Sequence, residues 1–425
     1  MPLYKDCSLN ELCRIKGDLA KQYDDFLALG LSLDMSRGKP GQNQLDLSAG
    51  LNTALTQDDY RAEDGTDCRN YGVLDGIPEM KRMFAALLDV DVSELVVGNN
   101  SSLSIMFDLF SLAMYNGLRG KTPWANQGEV KFLCPSPGYD RHFAICEYFG
   151  IKMIAVPMNE GGPDMDAVES LVKSDKAIKG IWCVPKYANP DGTVYSDETV
   201  RRLASLKPSA NEFLIFWDNA YCLHHLYEPV DILNIVRECE KAGNPDMVVE
   251  FASFSKVTFA GGGISCVASS KSNIDYYKKR LSMMTIGPDK MGQLRHVRFF
   301  GDENGIYAHM RKHAEILRPK FEAVLKTLDE ELTPTGAASF TRPKGGYFIS
   351  VDVMDGCAKK VVDICKKAGV KLTPAGATYP YGKDPQDKNI RLAPTFPGVG
   401  ELSRATALFC LAVKMSAVDK LISEN

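Results

Sequence analysis

The chain has 425 residues, 45% of them hydrophobic, and a formal net charge of −4. That is enough for a large core and two domains, while the mild acidic balance gives no footing for nucleic acid and no apolar run is long enough to cross a membrane. The start lacks a basic stretch followed by an apolar one, so a cytoplasmic protein is expected, its twelve scattered cysteines free thiols and no metal held.

In chain order, Leu9, Leu12, Ile15, Leu19, Tyr23, Phe26 and Leu27 recur at helical spacing. Ser8 and Glu11 complete a capping box, so Ser8–Leu29 reads as an amphipathic helix packing across a domain or subunit surface. Nothing obvious in its own chain covers it, which favours a homodimer. Gly38 and Gly41 then frame an exposed loop with Arg37 and Lys39, and Tyr71 and Gly76 precede a helix opened by Pro78. Leu95–Val97 is a short strand, followed by Gly98-Asn99-Asn100-Ser101-Ser102 and an apolar helix. Such a loop offers free N–H groups and the positive end of a helix dipole, so it is a candidate anion site; a plain N-cap is the simpler alternative. Tyr139 lies eleven residues before Gly150, between two strand runs. His142, His224 and His225 read as structural histidines without a role.

Three successive strands then end in polar groups. One leads into the turn Asn189-Pro190-Asp191-Gly192, with Lys186 just before it. Phe213–Trp217 ends at Asp218, with Tyr221 close behind. Met247–Phe251 leads through Ser253 and Ser255 to Lys256, and Gly261–Gly263 turn the chain back. A lysine between a buried strand and a glycine turn is desolvated, which lowers its pKa and makes it an amine nucleophile. Snorkelling at a strand end is the everyday alternative for a single lysine. Ligands of open α/β sheets sit at the carboxyl ends of strands. There, an aspartate can keep a ring nitrogen protonated, a tyrosine and an asparagine can bond a phenolate oxygen, and a lysine can attach an aldehyde. That inventory suits pyridoxal phosphate. Beyond it, Tyr307–Glu330 reads as a long helix, Gly345-Gly346 as a turn into a strand and Cys357–Gly369 as a helix. Arg391 interrupts an apolar strand; its planar fork suits a carboxylate, with a structural ion pair as the alternative.

Taken in this order and spacing, the Asn-Pro-x-Gly turn, the Asp-x-Ala-Tyr strand end and the Ser-x-Ser-Lys segment resemble the fold-type I pyridoxal-phosphate aminotransferases of class I/II. The resemblance is to the MocR-like group described as subgroup Ic aspartate aminotransferases, and it runs from about Met35 to Pro397. It implies an α/β fold: a large domain over 53–309, with a mostly parallel seven-stranded sheet flanked by helices, and a smaller α+β domain over 310–425 joined by segment 1–52. It implies Lys256 as the catalytic residue. Asp218, Tyr221 and Asn189 would meet the cofactor ring and Tyr139 would stack on it. Asn99, Asn100, Ser101, Ser253 and Ser255 would meet the phosphate, and Tyr71 would reach the phosphate of the other subunit in a homodimer. Gly38, Asn189 and Arg391 would line the substrate site, with Arg391 on the α-carboxylate. The implied partners are an amino acid, aspartate or glutamate, and a 2-oxo acid. Three departures stand out. Asp191 replaces a common threonine. Ile264 stands where relatives carry a phosphate-binding arginine, leaving Arg280, Lys290 and Arg295 as candidates. Ser282 stands near the place of the usual distal-carboxylate arginine, leaving Arg37, Lys39, Lys186 and Lys290. A carbon–sulfur lyase on the same cofactor and a non-enzymatic effector-sensing domain are the rival readings.

Overall fold

The computed structural model describes residues 3–425. Its centre is a sheet in which Ile178–Cys183, Leu214–Asp218 and Val248–Ser253 lie side by side and parallel. Their residues are mostly apolar and are buried without alternation because helices cover both faces. Side chains still alternate between faces: Ile215 and Trp217 join one apolar cluster, Leu214 and Phe216 the other. On the second face Phe110 stacks on Trp182 at 5.1 Å, beside Phe132 and Phe216.

Lys131–Ser136 pairs in parallel with Lys152–Asn159 on one side and Ile178–Cys183 on the other. The winding of the chain reverses there, and such a reversal opens a crevice at the carboxyl ends of the strands. At the opposite edge Ser265–Ser269 runs antiparallel between Val248–Ser253 and Leu95–Val97. These are the seven expected strands. The two-residue strand Gly162–Pro163 adds an eighth.

The second unit holds a three-stranded antiparallel sheet of Ala338–Phe340, Ile349–Val353 and Asn389–Leu392. The N-terminal segment is stitched into it, because Leu33–Asp34 pairs in parallel with Val370–Lys371. Helix Leu9–Ala28 carries the expected capping box, with Ser8 N and Oγ at 2.8 and 2.7 Å from Glu11 Oε2. The expectation that this helix lacks a partner in its own chain is wrong. It packs on the chain's own C-terminal helix, Val399–Glu424, burying Leu12 and Leu19. Lys16 pairs with Asp419 at 2.8 Å, and the Tyr23 hydroxyl donates to Ile364 O at 2.9 Å.

Helix Glu303–Glu331 links the two units without a break, so position 309/310 falls inside it. The Gly345-Gly346 turn docks on the loop that follows Asp218. Gly346 N donates to His224 O at 2.8 Å and Leu226 N to Lys344 O at 3.0 Å. A Cβ on Gly345 would come within 2.4 Å of Tyr187 Cε2, and Gly346 has φ +81°, so neither position accepts a side chain easily. Among the described residues no helix is long and apolar enough to cross a membrane, no group of side chains is arranged to hold a metal, and all twelve cysteines are free.

Two histidines of the linking helix join the units beneath Lys256. His309 Nε2 lies 2.9 Å from Val257 O and 3.1 Å from His313 Nε2. His313 Nδ1 lies 3.0 Å from Gln44 Nε2, which also donates to the Tyr347 hydroxyl at 3.1 Å. Burial lowers the pKa of both, and burial with the neighbouring His309 pushes His313 down to about 3. An unfolded histidine titrates near ~6.5, so the fold favours the neutral form. This contribution to stability is intact above about pH 6.5 and is lost as the pH falls from there towards the folded value, at up to about 1.4 kcal/mol per pH unit per histidine. The thermal midpoint should therefore fall with acidification in that window, and His313→Gln should make the fall shallower. An unchanged slope in the variant would show that the pair does not govern acid stability.

Candidate active site

Five loops open at the carboxyl edge of the sheet, and they enclose a cavity of about 160 Å³. Its polar lining is Ser101, Ser102, Tyr139, Asn189, Asp218, Tyr221, Ser253, Ser255 and Lys256. Sequences more than a hundred residues apart meet here because parallel strands deliver their ends to one side. A wider cleft, about 1220 Å³, holds Lys186, Asn219 and Glu250, and Lys256 is not part of it. The smaller cavity is the candidate site, since it gathers the desolvated lysine, the carboxylate and a helix N-terminus.

Lys256 is half-buried, with Nζ 4.9 Å from the centroid of the Tyr221 ring. Burial lowers its pKa, and the nearby Asp218 opposes the shift. The result is an amine closer to its neutral, nucleophilic form than a surface lysine. Asp218 ends its strand with Oδ2 2.9 Å from His142 Nε2. Its other oxygen, Oδ1, is buried and has no protein partner. A buried carboxylate oxygen without a donor is costly. A protonated nitrogen of a ring held in the cavity would supply that donor.

His142, which from sequence reads as a structural histidine without a role, contacts the site carboxylate. It lies in helix Asp140–Tyr148 with its ring stacked on Trp182 at 4.1 Å, which fixes Nε2 on Asp218. Its place three residues after Tyr139, on the turn that opens a helix, was the available signal. Burial pushes the Tyr139 phenol up to about 12 and raises Tyr221 well above its ordinary value, so both rings remain neutral.

Helix Ser102–Tyr115 starts at the cavity, and the side chain of its N-cap, Ser101, makes no capping bond. Its first N–H groups and the serines suit an anion such as a phosphate. Asn99 and Asn100 do not line the cavity. Asn99 Oδ1 accepts from Asp289 N at 3.0 Å and its carbonyl from Ser265 Oγ at 2.6 Å. Asn100 Nδ2 donates to Gly261 O at 3.3 Å. Both are used to hold the glycine turn and its neighbours. Ser255 lines the cavity, but its hydroxyl donates to Asn100 O at 2.7 Å. Tyr71 is 81% exposed and outside this cavity.

Among the described residues, Lys256 is the only cation lining the cavity. Arg280 pairs with Asp108 at 3.0 Å, Lys290 donates to Gly72 O at 2.8 Å, and Arg295 is exposed. None of these three lines the cavity. Lys186 belongs to the wider cleft, and the Ser282 hydroxyl donates to Lys279 O on the surface. Arg37 is exposed, and Lys39 Nζ sits 3.9 Å from the Phe396 ring.

Arg391 is buried beside the cavity. Its Nη1 donates to Asn189 Oδ1 at 3.1 Å and to Asp140 Oδ1 at 3.0 Å, and its guanidinium stands 4.8 Å from the Phe348 ring centroid. Gly38 backs that ring; a Cβ there would stand 2.3 Å from Phe348 Cζ. The glycine is needed for this close approach.

A family model described as aspartate amino-transferase matches residues 7–425. A protein of Mycolicibacterium smegmatis bearing an aminotransferase name is 47% identical over 413 residues, covering 95% of this chain and 96% of that protein. An aspartate aminotransferase of Corynebacterium glutamicum is 45% identical over 404 residues, covering 95% and 93%. The crystal structure of an aspartate transaminase from Corynebacterium glutamicum superposes with a TM-score of 0.97 at 43% identity, over 99% of each chain.

The stack of Gly38, Phe348 and Arg391 gives a direct test. Gly38→Ala should displace the Phe348 ring and weaken binding of a small dicarboxylate by roughly tenfold, the scale of a partly buried cation–π contact. Calorimetric titration reads the change; an unaltered Kd would mean that the ring yields without disturbing the arginine.

Proposed function

We infer, since the chain belongs to the aspartate amino-transferase family, that this aminotransferase moves an amino group between a dicarboxylic amino acid, aspartate or glutamate, and a 2-oxo acid. Its cofactor is pyridoxal 5′-phosphate. The observation that carries this reading is the open oxygen of Asp218, buried in one cavity with a desolvated lysine.

When bound, the cofactor supplies an aldehyde that joins amino groups and a protonated ring that takes up the electron pair left by a departing α-proton. The protein does the rest. Lys256 would hold the cofactor through its amine and would carry the substrate α-proton as a general base; its lowered pKa suits both tasks. His142 orients Asp218, whose open oxygen would accept a hydrogen bond from a proton-bearing ring nitrogen of the cofactor. Tyr139 would cover one face of the ring, and Tyr221 and Asn189 would meet its oxygen. Ser101, Ser102, Ser253 and the helix N-terminus would hold the phosphate. Arg391 receives the substrate α-carboxylate. The carbon–sulfur lyase and the effector-sensing domain remain as rivals without a feature of their own to support them.

We also assign the chain to the MocR-like group, subgroup Ic, and to the cytoplasm. The division into 53–309 and 310–425 with 1–52 is proposed as the basis of closure over substrate. A distal carboxylate needs its own cation, because an unpaired charge in a closed site is expensive. Arg37 and Lys39, which flank Gly38, are the candidates left. Catalytic efficiency for aspartate should then exceed that for alanine or leucine by at least about tenfold, the loss of one charge-assisted pair. Equal efficiencies would sink the specificity, and Lys256→Ala with near wild-type turnover would sink the whole assignment. That variant should instead fold, hold the cofactor without a covalent bond and lose turnover.

The active form is proposed to be a homodimer, with exposed Tyr71 reaching the neighbour's phosphate site. Sedimentation at assay concentration should give twice the chain mass. A fully active monomer would refute it.

A further inference from the structure

Arg391 already holds a carboxylate that belongs to the protein. Its Nη1 donates to Asp140 Oδ1 at 3.0 Å and to Asn189 Oδ1 at 3.1 Å, and Nη2 reaches Thr373 Oγ1 at 3.4 Å. The Arg391 side chain is 8% exposed, that of Asp140 37%. Asp140 is the first residue of helix Asp140–Tyr148, directly after Tyr139. We propose that Asp140 competes with the substrate α-carboxylate for Arg391 and so sets the affinity for every amino acid and 2-oxo acid the enzyme accepts. The proposal rests on the reading of Arg391 as the α-carboxylate receptor.

Three physical points carry it. A bare guanidinium in a buried site is costly, and Asp140 offsets that cost whenever no other carboxylate is bound. A second carboxylate arriving at the same Nη1 meets a like charge, so one of the two has to give way. Asp140 is the one able to move. It is partly in water and stands at the positive end of its own helix, where a displaced carboxylate is still stabilised. Asn189 and Thr373, by contrast, are buried neutral partners that can stay on the arginine and keep it aimed. Because every substrate presents the same α-carboxylate, the competition weakens all of them alike. It acts on KM and leaves the chemical step untouched.

Asp140→Asn in the holoenzyme should lower KM for the amino acid and for the 2-oxo acid together, by about tenfold, with kcat within about twofold. The same variant should have a lower thermal midpoint without ligand, and a larger rise in midpoint than wild type when saturated with maleate. Asp140→Ser, which still suits a helix start, should repeat both results if the asparagine variant folds poorly. A raised KM would overturn the proposal, making Asp140 a positioning residue for Arg391, and an unchanged KM would overturn it too. Arg391→Lys, measured in parallel, separates the two readings. If it leaves KM unaltered, the role of Arg391 is wrong; if it raises KM while Asp140→Asn fails to lower it, only the competition is wrong.

Discussion

The contact between His142 and Asp218 is the constraint on which the site depends. A carboxylate at the end of a buried strand is stable only if its oxygens find donors, and here one oxygen has a donor and the other does not. The imidazole is held by stacking on Trp182, itself packed among Phe110, Phe132 and Phe216 in the core beneath the sheet. The orientation of one charged group therefore traces back through an aromatic cluster to the folding of the whole large sheet. The open oxygen is a fixed demand for an N–H donor, set by the fold itself.

The second constraint is that the site is built from both units. Lys256 stands on the large sheet, yet its carbonyl lies 3.4 Å from the Tyr347 hydroxyl, and Tyr347 is bonded to Gln44 of the N-terminal segment. The next residue, Phe348, supports Arg391. Any relative movement of the two units is felt at the lysine and at the arginine together.

Much of this was legible in the sequence, for a definite reason. Asn189, Asp218, Lys256 and Arg391 are polar groups that end or interrupt apolar strand runs, and a parallel sheet leaves such groups little choice of location. What the sequence leaves open has physical causes as well. Periodicity does not say which way a loop side chain points: the resemblance implies Asn99 and Asn100 at the phosphate, and the structure turns their side chains to neighbouring backbone. Nor does it say on which side of a strand end a lysine emerges, and Lys186 opens into the other cleft. His142 and the first helix were misjudged because their partners are remote: Asp218 is 76 residues from His142, and the first helix rests on the last. Sequence spacing offers Arg280, Lys290 and Arg295 as cations to stand in at Ile264 without ranking them, and the cavity is lined by none of the three.

The pairing of Leu33–Asp34 with Val370–Lys371 and the packing of the first helix on the last have a consequence for chimeras. The two ends of the chain form one folding surface, although more than three hundred residues separate them. Gly38, Phe348 and Arg391 must also fit one another to within a methyl group. A hybrid with a relative would need to take both ends from the same parent, leaving the middle as the exchangeable part. In inheritance, the smaller unit behaves as a single block split in two by the larger one.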